Sequence, residues 1–100
     1  MGIFTKKPTQ EQINYFCLDY ITYMPEITGK SKAAIHRAAE LYANHLQLVK
    51  TNPPVLKLLL CNLEQFEEYA PPSSIKENKK VIKYFKALLY KHLSETIETF

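Results

Sequence analysis

Apolar residues recur every three or four positions along four stretches of this sequence, and breaks containing proline or glycine separate the stretches. That spacing places apolar side chains on one face of an α-helix, whereas a half-buried strand alternates every second residue. The 100 residues include only 2 glycines, which disfavours a β-rich fold because sheets need many tight turns. The sequence therefore predicts an all-α protein whose residues 1–100 form a single domain.

Start and stop signals delimit the first two helices. Thr9 and Gln12 match a capping box, and Pro25 is expected to end or kink the helix that follows. Gly29 is the expected left-handed residue of the connector, and Ser31 can cap the second helix. The core positions predicted for these two helices are Ile13, Phe16, Cys17, Tyr20, Met24, Ile35, Ala38, Ala39, Tyr42, Leu46 and Val49.

Pro-Pro pairs mark the last two helices. Asn52 is the expected cap of the third helix with Pro53 at its first position, and the pair at 71–72 ends it. Ser74 opens an S-x-x-E capping box for a fourth helix that runs to about residue 98. We expect the third helix to be the most buried, because its apolar face is the widest. The predicted core positions are Leu56, Leu59, Leu63, Phe66, Ala70, Ile82, Phe85, Leu89, Leu93 and Ile97.

The connectors between these four helices are short, which makes neighbouring helices antiparallel. The predicted architecture is therefore an antiparallel, up-down-up-down four-helix bundle. Glutamates 64, 67 and 68 would then face the lysines of the fourth helix across the Pro-Pro turn, with Glu68 beside Lys76 and Glu64 beside Lys80. Two interpretations stay open for those lysines: they form a binding face for a partner, or they only pair with Glu64, Glu67 and Glu68.

The residues that commonly carry chemistry are scattered along the chain. The three histidines, His36, His45 and His92, lack the spacing of metal ligands, and no nucleophile motif occurs. We therefore expect no enzyme activity, no metal and no cofactor. Cys17 and Cys61 lie in apolar surroundings and are expected to be buried and reduced, which favours the cytosol. No signal peptide or membrane-spanning stretch is recognisable.

Residues 28–42, TGKSKAAIHRAAELY, resemble the turn and second helix of ribbon-helix-helix DNA-binding proteins. The lead-in IFTKKP is similar to the DNA-reading strand of that family. The resemblance implies a small DNA-binding regulator as an alternative function. The formal net charge of +3 and the single arginine, Arg37, favour only weak binding to nucleic acid.

A second resemblance covers residues 24–93. The order is MPEITG, a helix ending in ELYANHLQLV, then NPPVLKLLLCNLEQF, then PPSSIKENKKVIKYFKALL. This order resembles the bacteriocin immunity proteins of lactic-acid and related bacteria, of the enterocin A immunity type that protects against pediocin-like peptides. The resemblance implies a cytosolic four-helix bundle that protects the producing cell from its own peptide.

The family's partner is implied to be the mannose phosphotransferase permease engaged by the peptide, so contact with the membrane would go through that protein. Specificity in the family lies largely in the C-terminal half. The candidate partner-binding residues of this chain are therefore Lys79, Lys83, Lys86, Tyr90 and Phe100. A monomer or weak dimer is expected, and a helical adaptor or inhibitor of another protein is a further alternative.

Overall fold

A computed structural model describes the backbone of residues 7–99 and the side chains of residues 7–96. All regular structure in this range is helical, with no strand, which confirms the predicted all-α class. The molecule is flattened, with dimensions of 36 × 33 × 22 Å. The α-helices are α1 (Gln10–Thr28), α2 (Lys32–Glu40), α3 (Pro53–Tyr69), α4 (Pro72–Glu77) and α5 (Lys79–Thr99).

Helix α1 begins with the predicted capping box. The Gln12 backbone N–H donates to Thr9 Oγ1 at 3.1 Å, and the Thr9 N–H donates to Gln12 Oε1 at 2.8 Å. The helix continues past Pro25 to Thr28, so it ends one turn later than the proline suggests. Gly29 then adopts the predicted left-handed conformation, with φ of 73°, and its N–H donates to the Pro25 carbonyl at 2.9 Å.

The second helical stretch uses three hydrogen-bonding patterns instead of one. Ser31 caps α2 as predicted, because its hydroxyl accepts from the Ala34 N–H at 3.2 Å. After Glu40 the chain widens into a π-helical turn, Leu41–His45, and then tightens into a 3-10 turn, Leu46–Val49. The Tyr42 hydroxyl donates to the Leu59 carbonyl, which ties the π-helical turn to α3.

Helix α3 follows the sequence prediction closely. Asn52 caps it by accepting from the Val55 N–H at 3.3 Å, and Pro53 occupies its first position. The five predicted apolar positions are all buried, namely Leu56, Leu59, Leu63, Phe66 and Ala70. Helix α3 therefore contributes a largely apolar face to the core, in which Asn62 is also buried.

The prediction of a single fourth helix beginning at Ser74 is wrong. Helix α4 starts at Pro72, where the fixed φ of proline suits the first turn, and Ser74 lies buried inside it. The Ser74 hydroxyl does not cap the helix but donates to the Asp19 carboxylate in α1 at 2.6 Å. Asn78 separates α4 from α5, and its side-chain amide donates to the same Asp19 oxygen at 2.9 Å.

An aromatic cluster forms the centre of the core. Phe16 packs against Phe66 with ring centroids 5.2 Å apart and meets Tyr42 edge-on at 5.8 Å. Phe85 of α5 lies 5.2 Å from Tyr42, and Tyr20 completes the cluster. The cluster joins α1, the π-helical turn, α3 and α5. Of the other predicted core residues, Val49 and Leu93 are half-buried, and the side chain of Ile97 lies outside the described part of the chain.

Candidate partner-binding face

Four of the five candidate partner-binding residues lie on α5. Lys79 and Lys83 are exposed, and both project away from the core face formed by Ile82, Phe85 and Leu89. Helical periodicity explains this separation, because 79 and 83 are one turn apart on the opposite side of the helix. Phe100, the fifth candidate, lies outside the described residues.

Lys86 and Tyr90 are held by two glutamates of α3. The Lys86 ammonium donates to Glu67 Oε1 at 2.9 Å, and the Tyr90 hydroxyl donates to Glu64 Oε2 at 3.1 Å. The hydrogen bond to Glu67 raises the pKa of Lys86, and the hydrogen bond to Glu64 raises the pKa of Tyr90. These four residues form an ordered surface strip that we name the α3–α5 face.

The register of this pairing differs from the predicted one. The expected ion pairs between Glu68 and Lys76 and between Glu64 and Lys80 do not form among the described residues. Glu64 instead meets Tyr90, which follows Lys80 by nearly three helical turns. Helix α4 explains the shift, because its six residues and Asn78 extend the connection before α5 begins. Of the predicted lysine–glutamate network, the pair Lys86–Glu67 is present.

The side chain of Tyr90 is 52% exposed although its hydroxyl is bound. Its ring therefore offers apolar area to a partner while its position is fixed. The sequence identified Tyr90 as a candidate and Glu67 as one of three possible partners of the lysines, but it did not identify Glu64 as the partner of Tyr90. Only the observed register of α3 against α5 reveals that pairing.

A groove of about 370 Å³ lies at the junction of α1, α3 and α4. Its walls include Tyr23, Ile27, Tyr69 and the Pro71–Pro72 pair, with Glu26 at the rim. Tyr69 is 63% exposed there. Sequence reasoning did not single out Tyr69, because the residue lies off the apolar stripe of α3 at the helix end.

The two cysteines differ in their surroundings. Both are free, but Cys61 is exposed, so the prediction that it is buried is wrong. Cys17 is buried as predicted, and desolvation raises the pKa of its thiol to about 11. A thiol with that pKa stays protonated near neutral pH and is a weak nucleophile.

Metal-ligating side chains are not clustered in the described part of the chain, where no group of three or more His, Cys, Asp or Glu residues could hold an ion. Among the same residues, no helix has the length and apolar character needed to cross a membrane. The segment 28–42 of the alternative DNA-binding interpretation contains the Gly29 connector and all of α2, with Lys32, His36 and Arg37 exposed.

Comparison with known proteins adds no relative. The sequence matches no protein-family model and no curated protein, and the fold matches no solved structure.

Proposed function

We propose that this chain is a bacteriocin immunity protein that acts by binding and performs no catalysis. Its partner would be the cytosolic side of a membrane permease, of the mannose phosphotransferase class, engaged by a pediocin-like peptide. The chain would hold that complex in a state that does not harm the cell. The proposal combines the family resemblance of residues 24–93 with the ordered α3–α5 face.

The observation that supports the binding site best is the fixed position of an exposed aromatic ring. Tyr90 is anchored by Glu64, and Lys86 beside it is anchored by Glu67. Tyrosine is enriched among residues that dominate binding energy at protein interfaces. A side chain that is already ordered loses less conformational entropy on binding, so the contact costs less to form.

We also propose that α1, the second helical stretch, α3 and α5 alternate in direction as a four-helix bundle, with α4 as an addition. Glu67 pairs with Lys86 while the earlier Glu64 meets the later Tyr90, which supports an antiparallel α3–α5 pair. Thr96 donates to the Lys50 carbonyl at 3.0 Å, so the end of α5 approaches the end of the second stretch. If this alignment is right, the distance between two spin labels should stay constant as one label moves toward the C-terminus of α3 and the other moves equally far toward the N-terminus of α5.

Replacing Tyr90 by alanine in a sensitive host should reduce protection against the cognate peptide by about thirtyfold or more. This corresponds to the loss of about 2 kcal/mol that defines a dominant interface residue. The readout is the peptide concentration that halves growth, measured for a panel of pediocin-like peptides. Exchanging residues 74–100 for those of a related immunity protein should change which peptide is resisted.

The matched control is Tyr69→Ala, which removes a tyrosine at least as exposed as Tyr90 and away from the α3–α5 face. Thermal melts should show that both variants fold. An equal loss of protection in both variants would contradict the assignment of the site, and a wild-type chain that protects against no peptide would contradict the function.

A further inference from the structure

The outward face of α4 and α5 carries a row of exposed lysines, which we name the lysine stripe. We propose that this stripe binds directly to the anionic headgroups of a lipid bilayer. The proposed function brings the chain to the membrane only through a protein partner, so this contact goes beyond it. The stripe consists of Lys76, Lys79, Lys80, Lys83 and Lys91, all of them exposed.

Four of the five lysines lie on α5, on the side opposite its buried residues Ile82, Phe85 and Leu89, and Lys76 lies in α4 just before the break at Asn78. The two helices meet at Asn78, whose N–H donates to the Ser74 carbonyl at 3.0 Å and whose carbonyl accepts from the Ile82 N–H at 2.9 Å. From Lys79 to Lys91, within α5, the stripe extends about 18 Å at 1.5 Å per residue. The opposite side of the helices is buried, so the stripe is available without opening the fold.

The charge of the molecule is unevenly distributed. Because the stripe contributes five positive charges to a formal net charge of +3, the other residues together carry −2. Within the described structure none of the five lysines forms an ion pair. Glu77 is the only acidic residue between positions 76 and 91, and it accepts a hydrogen bond from Tyr15 at 3.0 Å. Glu11 and Glu77 line one groove between α1 and the α4–α5 junction together with Lys80.

Lys79 and Lys80 lie at positions that are unfavourable for the stability of the helix that contains them. Both lie in the first turn of α5, which has no acidic residue. The N-terminus of a helix is the positive end of its dipole, so lysines there reduce helix stability. The same dipole adds to the positive potential that the stripe presents to an anionic surface.

The chemistry of the stripe favours a lipid surface over a nucleic acid. It contains no arginine, whereas recognition of nucleic acids depends heavily on the bidentate guanidinium group. Lysines attract a layer of mobile anionic headgroups without any fixed geometry. Tyr90 lies exposed on the same side of α5, and tyrosine is enriched where protein meets the membrane–water boundary.

Cosedimentation of the whole 100-residue chain with vesicles tests the proposal. The chain should bind vesicles of phosphatidylcholine mixed with phosphatidylglycerol, and it should not bind phosphatidylcholine alone. The triple variant Lys76→Gln, Lys80→Gln, Lys91→Gln should bind about 100-fold more weakly, because each lysine contributes a factor of about five to the affinity. Salt at about 1 M should release the wild type, because the screening length falls to about 3 Å.

The matched control is the triple variant Lys32→Gln, Lys50→Gln, Lys57→Gln, which removes the same charge from exposed positions off the stripe. Equal weakening in both variants, or binding that ignores phosphatidylglycerol, would overturn the proposal. The proposal would also be overturned, in favour of a nucleic-acid site, if the chain bound duplex DNA more tightly than the anionic vesicles and the stripe variant lost that DNA binding. The vesicles contain no protein, and the stripe variant keeps every candidate partner-binding residue, so this result is independent of the immunity assay.

Discussion

Replacing Phe16 by alanine should lower the free energy of unfolding by about 3–5 kcal/mol. The Phe16 side chain has no exposed surface and lies at the centre of the aromatic cluster. Its ring contacts Tyr20, Tyr42, Phe66 and Phe85, with centroid separations of 5.2 to 5.9 Å. Truncation leaves a cavity between four helical elements, and these elements cannot close around it independently because each also packs against the others.

Urea denaturation followed by circular dichroism measures this loss. The expected loss is a large part of the free energy of unfolding of a domain, which is typically about 5–15 kcal/mol. Phe16→Leu therefore serves as a milder variant that keeps most of the apolar volume. The control is Leu48→Ala in the 3-10 turn, where the side chain is 75% exposed and the change should stay within about 0.5 kcal/mol. A loss below about 1 kcal/mol for Phe16→Ala would show that the cluster does not organise the core.

Those helix starts that depend on local contacts were predictable from the sequence. Thr9, Ser31 and Asn52 each accept a hydrogen bond from a backbone N–H three residues later, so the signal and its partner lie in one short segment. Ser74 shows the same local pattern, but its hydroxyl binds Asp19, which is 55 residues away in the sequence. Such a long-range partner is invisible to a local rule.

The outward positions on α5 could also be predicted, because they are opposite a clear apolar face. Lys83 and Tyr90 are exposed while Ile82, Phe85 and Leu89 are buried, as the helical period requires. The individual pairs Lys86–Glu67 and Tyr90–Glu64 could not be predicted, since the split into α4 and α5 changes the register with α3. Cys61 was predicted to be buried because apolar residues surround it in the sequence. Apolar residues of the third helix also occupy its exposed side, however, as Leu58 does.

Asn78 is the residue at which the predicted fourth helix divides, and it is 1% exposed. Its side-chain amide donates to the Asp19 carboxylate and to the Ser74 carbonyl, at 2.9 Å in each case. Since Ser74 also donates to Asp19, one carboxylate of α1 holds both α4 and the start of α5. Hydrogen bonds to a charged acceptor are stronger than neutral ones, so this network fixes the position of the α4–α5 corner.

Replacing Asn78 by aspartate should therefore lower the free energy of unfolding by about 3 kcal/mol at pH 7. The substitution keeps the shape of the side chain but turns the donor to Asp19 into a second carboxylate. Two like charges would then lie within hydrogen-bonding distance at a buried position. Urea denaturation of the variant and the wild type at the same pH measures the difference.

The loss should depend on pH in a defined direction. Burial beside Asp19 raises the pKa of the introduced carboxyl above its unfolded value of about 3.9. Below about pH 3.9 that carboxyl is protonated in both states and can donate to Asp19, so the charge penalty disappears. The penalty grows as the pH rises from about 3.9 to the raised folded pKa, and it is constant above that. Asn44→Asp, at an exposed position, adds the same charge and should change stability by less than about 0.5 kcal/mol. If the loss for Asn78→Asp matched this control, or were the same at pH 4 and pH 7, Asp19 would not be the anchor of the corner.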